Sequence, residues 1–95
     1  MAPNSKYKAR PKKSKEPGKD NFENHYLILH NDDVNTFEHV IESLIEICHH
    51  DSIQAEQCTF IIHFKGKCDI KAGNFGDLNT MKKELKKRGL KATIE

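Results

Sequence analysis

Ninety-five residues allow at most one small domain. The formal net charge is only +2, and most of the basic excess falls in residues 1–24, which leaves the remainder near neutral. No apolar run approaches the length of a membrane span and no apolar h-region follows the first lysines, so a membrane protein is excluded and a cytoplasmic one expected.

Residues 1–24 hold Pro3, Pro11, Pro17 and Gly18 among many lysines, with almost no large apolar side chain. Such a stretch buries too little surface to offset its ordering entropy, so a disordered basic arm is expected there and a folded domain over 25–95. Apart from Tyr7, no aromatic residue is interleaved with the arm's cations. Base stacking is therefore not indicated, nucleic acid is not an expected partner, and the arm reads as a solvated tail.

The first element is a buried strand over 26–30, ended by the turn-forming run Asn31-Asp32-Asp33. Asn35 then reads as a helix N-cap, with Glu38 completing a capping box. Phe37, Val40, Ile41, Leu44, Ile45 and Cys48 recur at helical spacing and give that helix one apolar face. Asp51, with Gln54 in the reciprocal position, opens a second helix whose core face is expected to be Ile53, Cys58, Ile61 and Ile62, and Gly66 stops it. Residues 67–72 alternate: Cys68, Ile70 and Ala72 are expected inward, Lys67, Asp69 and Lys71 outward. Gly73 and Gly76 flank a loop. Leu78, Met81 and Leu85 mark a third helix with lysines outside and Gly89 as its stop, and 90–95 alternates again as a last strand. The order β-α-α-β-α-β predicts an α+β domain, three helices on one face of a three-stranded antiparallel sheet.

Cys48, Cys58 and Cys68 are odd in number, which fits a reducing compartment. No Cys-x-x-Cys occurs, and His49, His50 and His63 supply no zinc spacing, so buried free thiols are expected and no metal or cofactor. Catalysis is not expected either. There is no nucleophile elbow, phosphate loop or His-Glu-x-x-His, and the adjacent Asp32 and Asp33 of an extended segment point apart.

Binding is better supported. Asn31 offers a carbonyl oxygen, Asp32 a carboxylate, and neutral His63 a ring nitrogen. Together they form the kind of acceptor set that an ammonium group requires. The run from His30 to Ile41, with Asn31-Asp32-Asp33 at its head, is followed by His63-Phe64-Lys65-Gly66-Lys67. With the terminal run from Leu90 to Glu95, it resembles the ClpS family. That resemblance implies an adaptor binding N-degron peptides that begin with Leu, Phe, Tyr or Trp. It also implies delivery to the AAA+ unfoldase of the Clp protease, ClpA- or ClpC-like. By position, Asn31, Asp32 and His63 would hold the peptide's α-amino group and first backbone amide, with Asp33 and Asn35 supporting the turn or reaching the peptide backbone. Phe37 falls where the family has a bulky gatekeeper, usually methionine, and Val40, Thr59, Ile62 and Leu90 match positions at the hydrophobic pocket. Thr36 replaces a common proline, His39 a frequent phenylalanine and Thr59 a usual methionine, and the segment between Lys67 and Leu90 that docks on the unfoldase is shortened. The alternative is a ribosomal-stalk-like domain that docks a partner through its helices, which would need no amine site.

Overall fold

Leu27, Ile28 and Leu29 are buried in succession because they occupy the middle strand of the sheet. The computed structural model describes residues 24–95, so the expected arm lies outside the described residues but for Asn24. Strand β1 (His25–His30) is flanked by β2 (Lys67–Gly73) and β3 (Lys91–Ile94), both antiparallel to it, in the order β2-β1-β3. Helices α1 (Phe37–Cys48), α2 (Ser52–Lys65) and α3 (Phe75–Lys87) complete the predicted β-α-α-β-α-β order. Leu27 and Leu29 meet Leu44, Cys48, Ala55, Cys58, Ile62, Leu78, Leu85 and Leu90 in one core. His30, of opposite parity along β1, makes a 2.8 Å hydrogen bond from its Nε2 to Thr93 Oγ1 across the sheet.

The helix caps decide where each helix begins. Asp51 accepts from the Gln54 amide at 2.7 Å, as expected for the start of α2. The cap of α1 is Thr36, not Asn35: the Thr36 hydroxyl accepts from the His39 amide at 3.1 Å. Thr36 and Asn35 are both good capping types, and Asn35 is drawn away by the acidic turn that precedes it. Helix α3 starts earlier than expected, since Asn74 caps it by accepting from the Asp77 amide at 2.8 Å and brings Gly76 into the first turn. Gly66, with φ of 97°, ends α2 in the left-handed region that glycine enters without a Cβ penalty.

Two burial expectations are overturned. Ile53 is 66% exposed, and α2 instead buries Ala55, Cys58, Thr59 and Ile62, spaced i, i+3, i+4 and i+7. In β2 the register passes from Leu27 opposite Lys71 to Ile28 opposite Asp69, so Ile70 is an extra residue, a β-bulge. Cys68 and Ile70 reach the core, but beyond the bulge the alternation is reversed. Ala72 is turned outward and exposed, and Lys71 comes to the helix side, where its Nζ donates to the Cys48 carbonyl at 2.9 Å. A cation there meets the negative end of α1.

The cysteines are free and buried. His50, buried among the helices, donates from Nε2 to the Ile70 carbonyl at 2.8 Å and holds the bulge to the start of α2. Thiols so placed should be silent to an aromatic disulfide reagent in the native protein, with all three titrating in denaturant. Fast native labelling would show that the core opens on the assay's timescale.

Candidate functional site

Asn31, Asp32, Asn35, Val40, Ile62 and Leu90, six of the predicted site residues, meet where the end of β1 joins the start of α1, the end of α2 and the segment after α3. The Asn31 amide donates to the Gly66 carbonyl at 2.9 Å, which ties the acidic turn to the C-terminus of α2, one turn from His63. A small notch of about 20 Å³ opens at this junction. Leu29, Val40, Ile62 and Leu90 form its apolar lining, and His30, Asn31, Asp32 and Asn35 its polar lining.

Asp32 organises the turn. Its Oδ1 accepts from the amides of Val34 and Asn35, each at 2.8 Å, and its Oδ2 accepts from the Asn35 side-chain amide at 2.8 Å. Burial raises its pKa, but the Asn35 and Val34 hydrogen bonds and the charge of Lys91 together outweigh that and hold the carboxyl below its ordinary 3.8. Asp33 is exposed and its carboxylate has no partner among the described residues. The same is true of the Asn31 side chain. Of the two carboxylates, then, Asp32 shapes the backbone, whereas the sequence assigns the turn to Asp33.

Asn35 couples this turn to the far wall. Beside its bond to Asp32, its amide nitrogen donates to the Gly89 carbonyl at 3.0 Å, next to Leu90. A second tie, which sequence reasoning missed, fixes the same corner. His39 donates from Nε2 to the Arg88 carbonyl at 2.9 Å, and the Arg88 guanidinium pairs with Glu46 at 2.7 Å. Its other guanidinium nitrogen lies 3.5 Å from the hydroxyl of Ser43. The i, i+4 and i+7 spacing of His39, Ser43 and Glu46 was the available signal, but nothing local marked Arg88 as their partner.

His63 is exposed and does not line the notch. Its ring lies edge-on to Phe37, with centroids 5.3 Å apart, and edge-on to Phe64 at 4.9 Å. Phe37 is half-buried in the first turn of α1 and also meets Phe60 edge-on at 5.3 Å. Val40, Ile62 and Leu90 line the notch. Thr59 is buried on the same face of α2 but does not line the notch, and its hydroxyl donates to the Ala55 carbonyl at 2.8 Å. Among the described residues no group of His, Cys, Asp and Glu is arranged to hold a metal ion, and no helix is long and apolar enough to cross a membrane.

Three helices on one face of a β2-β1-β3 sheet, with one acceptor-rimmed apolar notch at the end of the central strand, define a small α+β domain of distinct type. The chain belongs to the ClpS family, whose model, described as the ATP-dependent Clp protease adaptor protein ClpS, matches residues 20–93. Among solved structures, it is similar to Agrobacterium tumefaciens ClpS2 bound to L-phenylalaninamide. The TM-score is 0.74 at 20% sequence identity, over 78% of this chain and 96% of that one. At that identity the likeness establishes the fold. No curated protein matches the chain.

Proposed function

We propose that this protein is an N-degron adaptor: it holds peptides by a large hydrophobic first residue and hands them to the AAA+ unfoldase of the Clp protease. The observation that carries the reading is the notch itself. Asn31, Asp32 and Asn35 form a polar rim directly above Leu29, Val40, Ile62 and Leu90, and His63 stands one turn from the Gly66 anchor of that rim. L-phenylalaninamide, the ligand of the similar Agrobacterium protein, has both features that such a site selects, a free α-amine and an apolar side chain. Family membership supports the handover to the unfoldase and disfavours the ribosomal-stalk alternative.

In this reading the α-ammonium donates to the Asn31 side-chain oxygen and to a ring nitrogen of His63, within the negative field of Asp32 and Asp33. Asp32 does double duty, since the turn that presents Asn31 is built on its carboxylate. Asn35 is a positioning residue, joining that turn to the Leu90 wall. A terminal amine with a pKa of about 8 is mostly charged at neutral pH. An internal residue brings no ammonium and would leave these acceptors unpaired against an apolar wall, and that loss enforces recognition of the terminus.

Fluorescence anisotropy with peptides beginning Phe, Leu, Tyr or Trp, each beside an N-acetylated copy, tests the proposal. Acetylation is expected to weaken binding by about 2–5 kcal/mol, the cost of removing one partner from a desolvated charged contact. Equal affinity of the two copies would end the N-degron reading. His63→Ala, at an exposed position, is expected to weaken the free peptide without lowering the melting temperature.

A further inference from the structure

Helix α2 carries apolar side chains on two faces. One face enters the core. On the other, Ile53, Phe60 and Phe64 are 66%, 47% and 75% exposed, at spacings of seven and four residues that set them along one stripe. Large apolar side chains left in water as a contiguous group mark interaction surfaces far more often than singly scattered ones do. Here the rings are organised as well as exposed. Phe60 and Phe64 lie with planes 13° apart and centroids at 6.2 Å, Phe37 meets Phe60 and His63 edge-on, and His63 meets Phe64 edge-on. The four rings form a continuous surface from α1 across to the C-terminal half of α2.

This surface begins at the proposed amine site. His63 belongs to both, and Ile62, its neighbour in sequence, is a wall of the notch. Around the notch, the Asn31 amide is tied to the Gly66 carbonyl and the Asn35 side chain to the Gly89 carbonyl. In the proposed reading, a peptide whose amine meets His63 continues past the rings that touch His63, Phe37 and Phe64. At about 3.3 Å per residue, its second and third side chains come within reach of Phe60 and Phe64.

We infer that Phe60 and Phe64, with Phe37, form a second subsite that selects an aromatic side chain at the second or third position of the bound peptide. The inference rests on the proposed N-terminal recognition and adds to it a preference beyond the first residue. Ring edges and faces are both presented, and incoming aromatic rings prefer T-shaped and offset-stacked contacts of this kind.

The test uses the full chain and peptides of sequence Phe-Ala-Ala, Phe-Trp-Ala and Phe-Ala-Trp with a common dye-bearing tail, each free and N-acetylated. One of the tryptophan peptides is expected to bind about 5–10-fold more tightly than Phe-Ala-Ala, the gain of one added aromatic contact. Phe64→Ala and Phe60→Ala are each expected to bring that ratio toward one, and the strongly exposed Phe64 is the variant with least consequence for folding. If the free peptides bind, their acetylated copies do not, and the ratio is already one in the unaltered protein, the subsite is refuted while N-terminal recognition stands. If acetylated copies bind as well as free ones, both readings fall. A gain that survives both substitutions places the aromatic contact elsewhere and overturns the assignment. So does a dimer in sedimentation that Phe64→Ala dissociates, which would give the rings to a second copy of the chain.

Discussion

Asp32→Ala is expected to weaken binding of a Phe-first peptide by about 2–5 kcal/mol, and to lower folding stability by a further ~1–2 kcal/mol. The two losses share one cause. The carboxylate accepts from the amides of Val34 and Asn35 and from the Asn35 side chain, so alanine removes the device that folds the turn and also releases Asn35 from the rim. Two milder substitutions separate charge from shape. Asp32→Asn keeps an oxygen for the two backbone amides but sets its own NH2 against that of Asn35, and so half-preserves the turn. Asp33→Asn removes a unit charge from an exposed side chain without touching the turn, and is expected to cost under about 1 kcal/mol in affinity. Anisotropy and thermal melts of the three variants check this ordering. Asp32→Ala with peptide affinity unchanged within assay error would remove Asp32 from the site.

The acid limb of the stability profile supplies an independent reading of the same turn. The folded-state pKa of Asp32 is depressed below 3.8. The unfolded chain therefore binds the proton more readily, and the stabilisation is fully present above the ordinary value and lost as pH falls through the depressed one. The melting-temperature gap between the unaltered protein and Asp32→Ala is expected to hold steady above about pH 5 and to narrow below about pH 4. A gap that stays constant to the acid end would mean that the carboxylate's charge adds nothing to the turn.

Most of the architecture was legible because the apolar spacing of Phe37 to Cys48 and the cap at Asp51 state their helices locally. The reversal in β2 was not, because no residue of 67–73 announces a bulge; it becomes visible only when Ile70 is left without a partner on β1. Ile53 was assigned to the core for a related reason. In a helix with apolar residues on both faces, periodicity identifies the stripes but not which of them is covered. The same ambiguity hid Phe60 and Phe64, which look like core residues until their exposure is seen. At the site, residue chemistry and the family resemblance together picked out Asn31, Asp32, Asn35, Val40, Ile62 and Leu90, which the fold brings to one notch. They gave Asp32 to the amine and Asp33 to the turn, because nothing local separates two adjacent carboxylates of identical type. Only the backbone turn distinguishes them, and it recruits Asp32.

Leu90→Ala is expected to destabilise the fold by about 2–5 kcal/mol and to shift first-residue preference from Leu toward Phe and Trp. As the walls stand, the notch encloses about 20 Å³, space for roughly one water and well short of an aromatic side chain. In the proposed reading, a large first residue therefore displaces part of the lining. Leu29 lies in the central strand and Val40 and Ile62 in helices, whereas Leu90 sits in the short segment between α3 and β3. That segment is held by the Leu90 amide to the Leu85 carbonyl at 3.1 Å and by the Asn35 bond to Gly89. Truncating Leu90 removes wall that a bulky ring would otherwise push aside, while a leucine in the enlarged space loses contacts it had. The free-energy cost of binding should thus fall for large side chains and rise for small ones. Because so small a domain is close to its stability limit, Ile62→Val is the companion variant. It is expected to cost only about 0.5–1.5 kcal/mol and to move preference in the same direction by a smaller amount. Melts together with anisotropy on Leu-, Phe- and Trp-first peptides measure both effects. An unchanged order of affinities in a folded Ile62→Val and a folded Leu90→Ala would mean that the first side chain is received somewhere other than this notch.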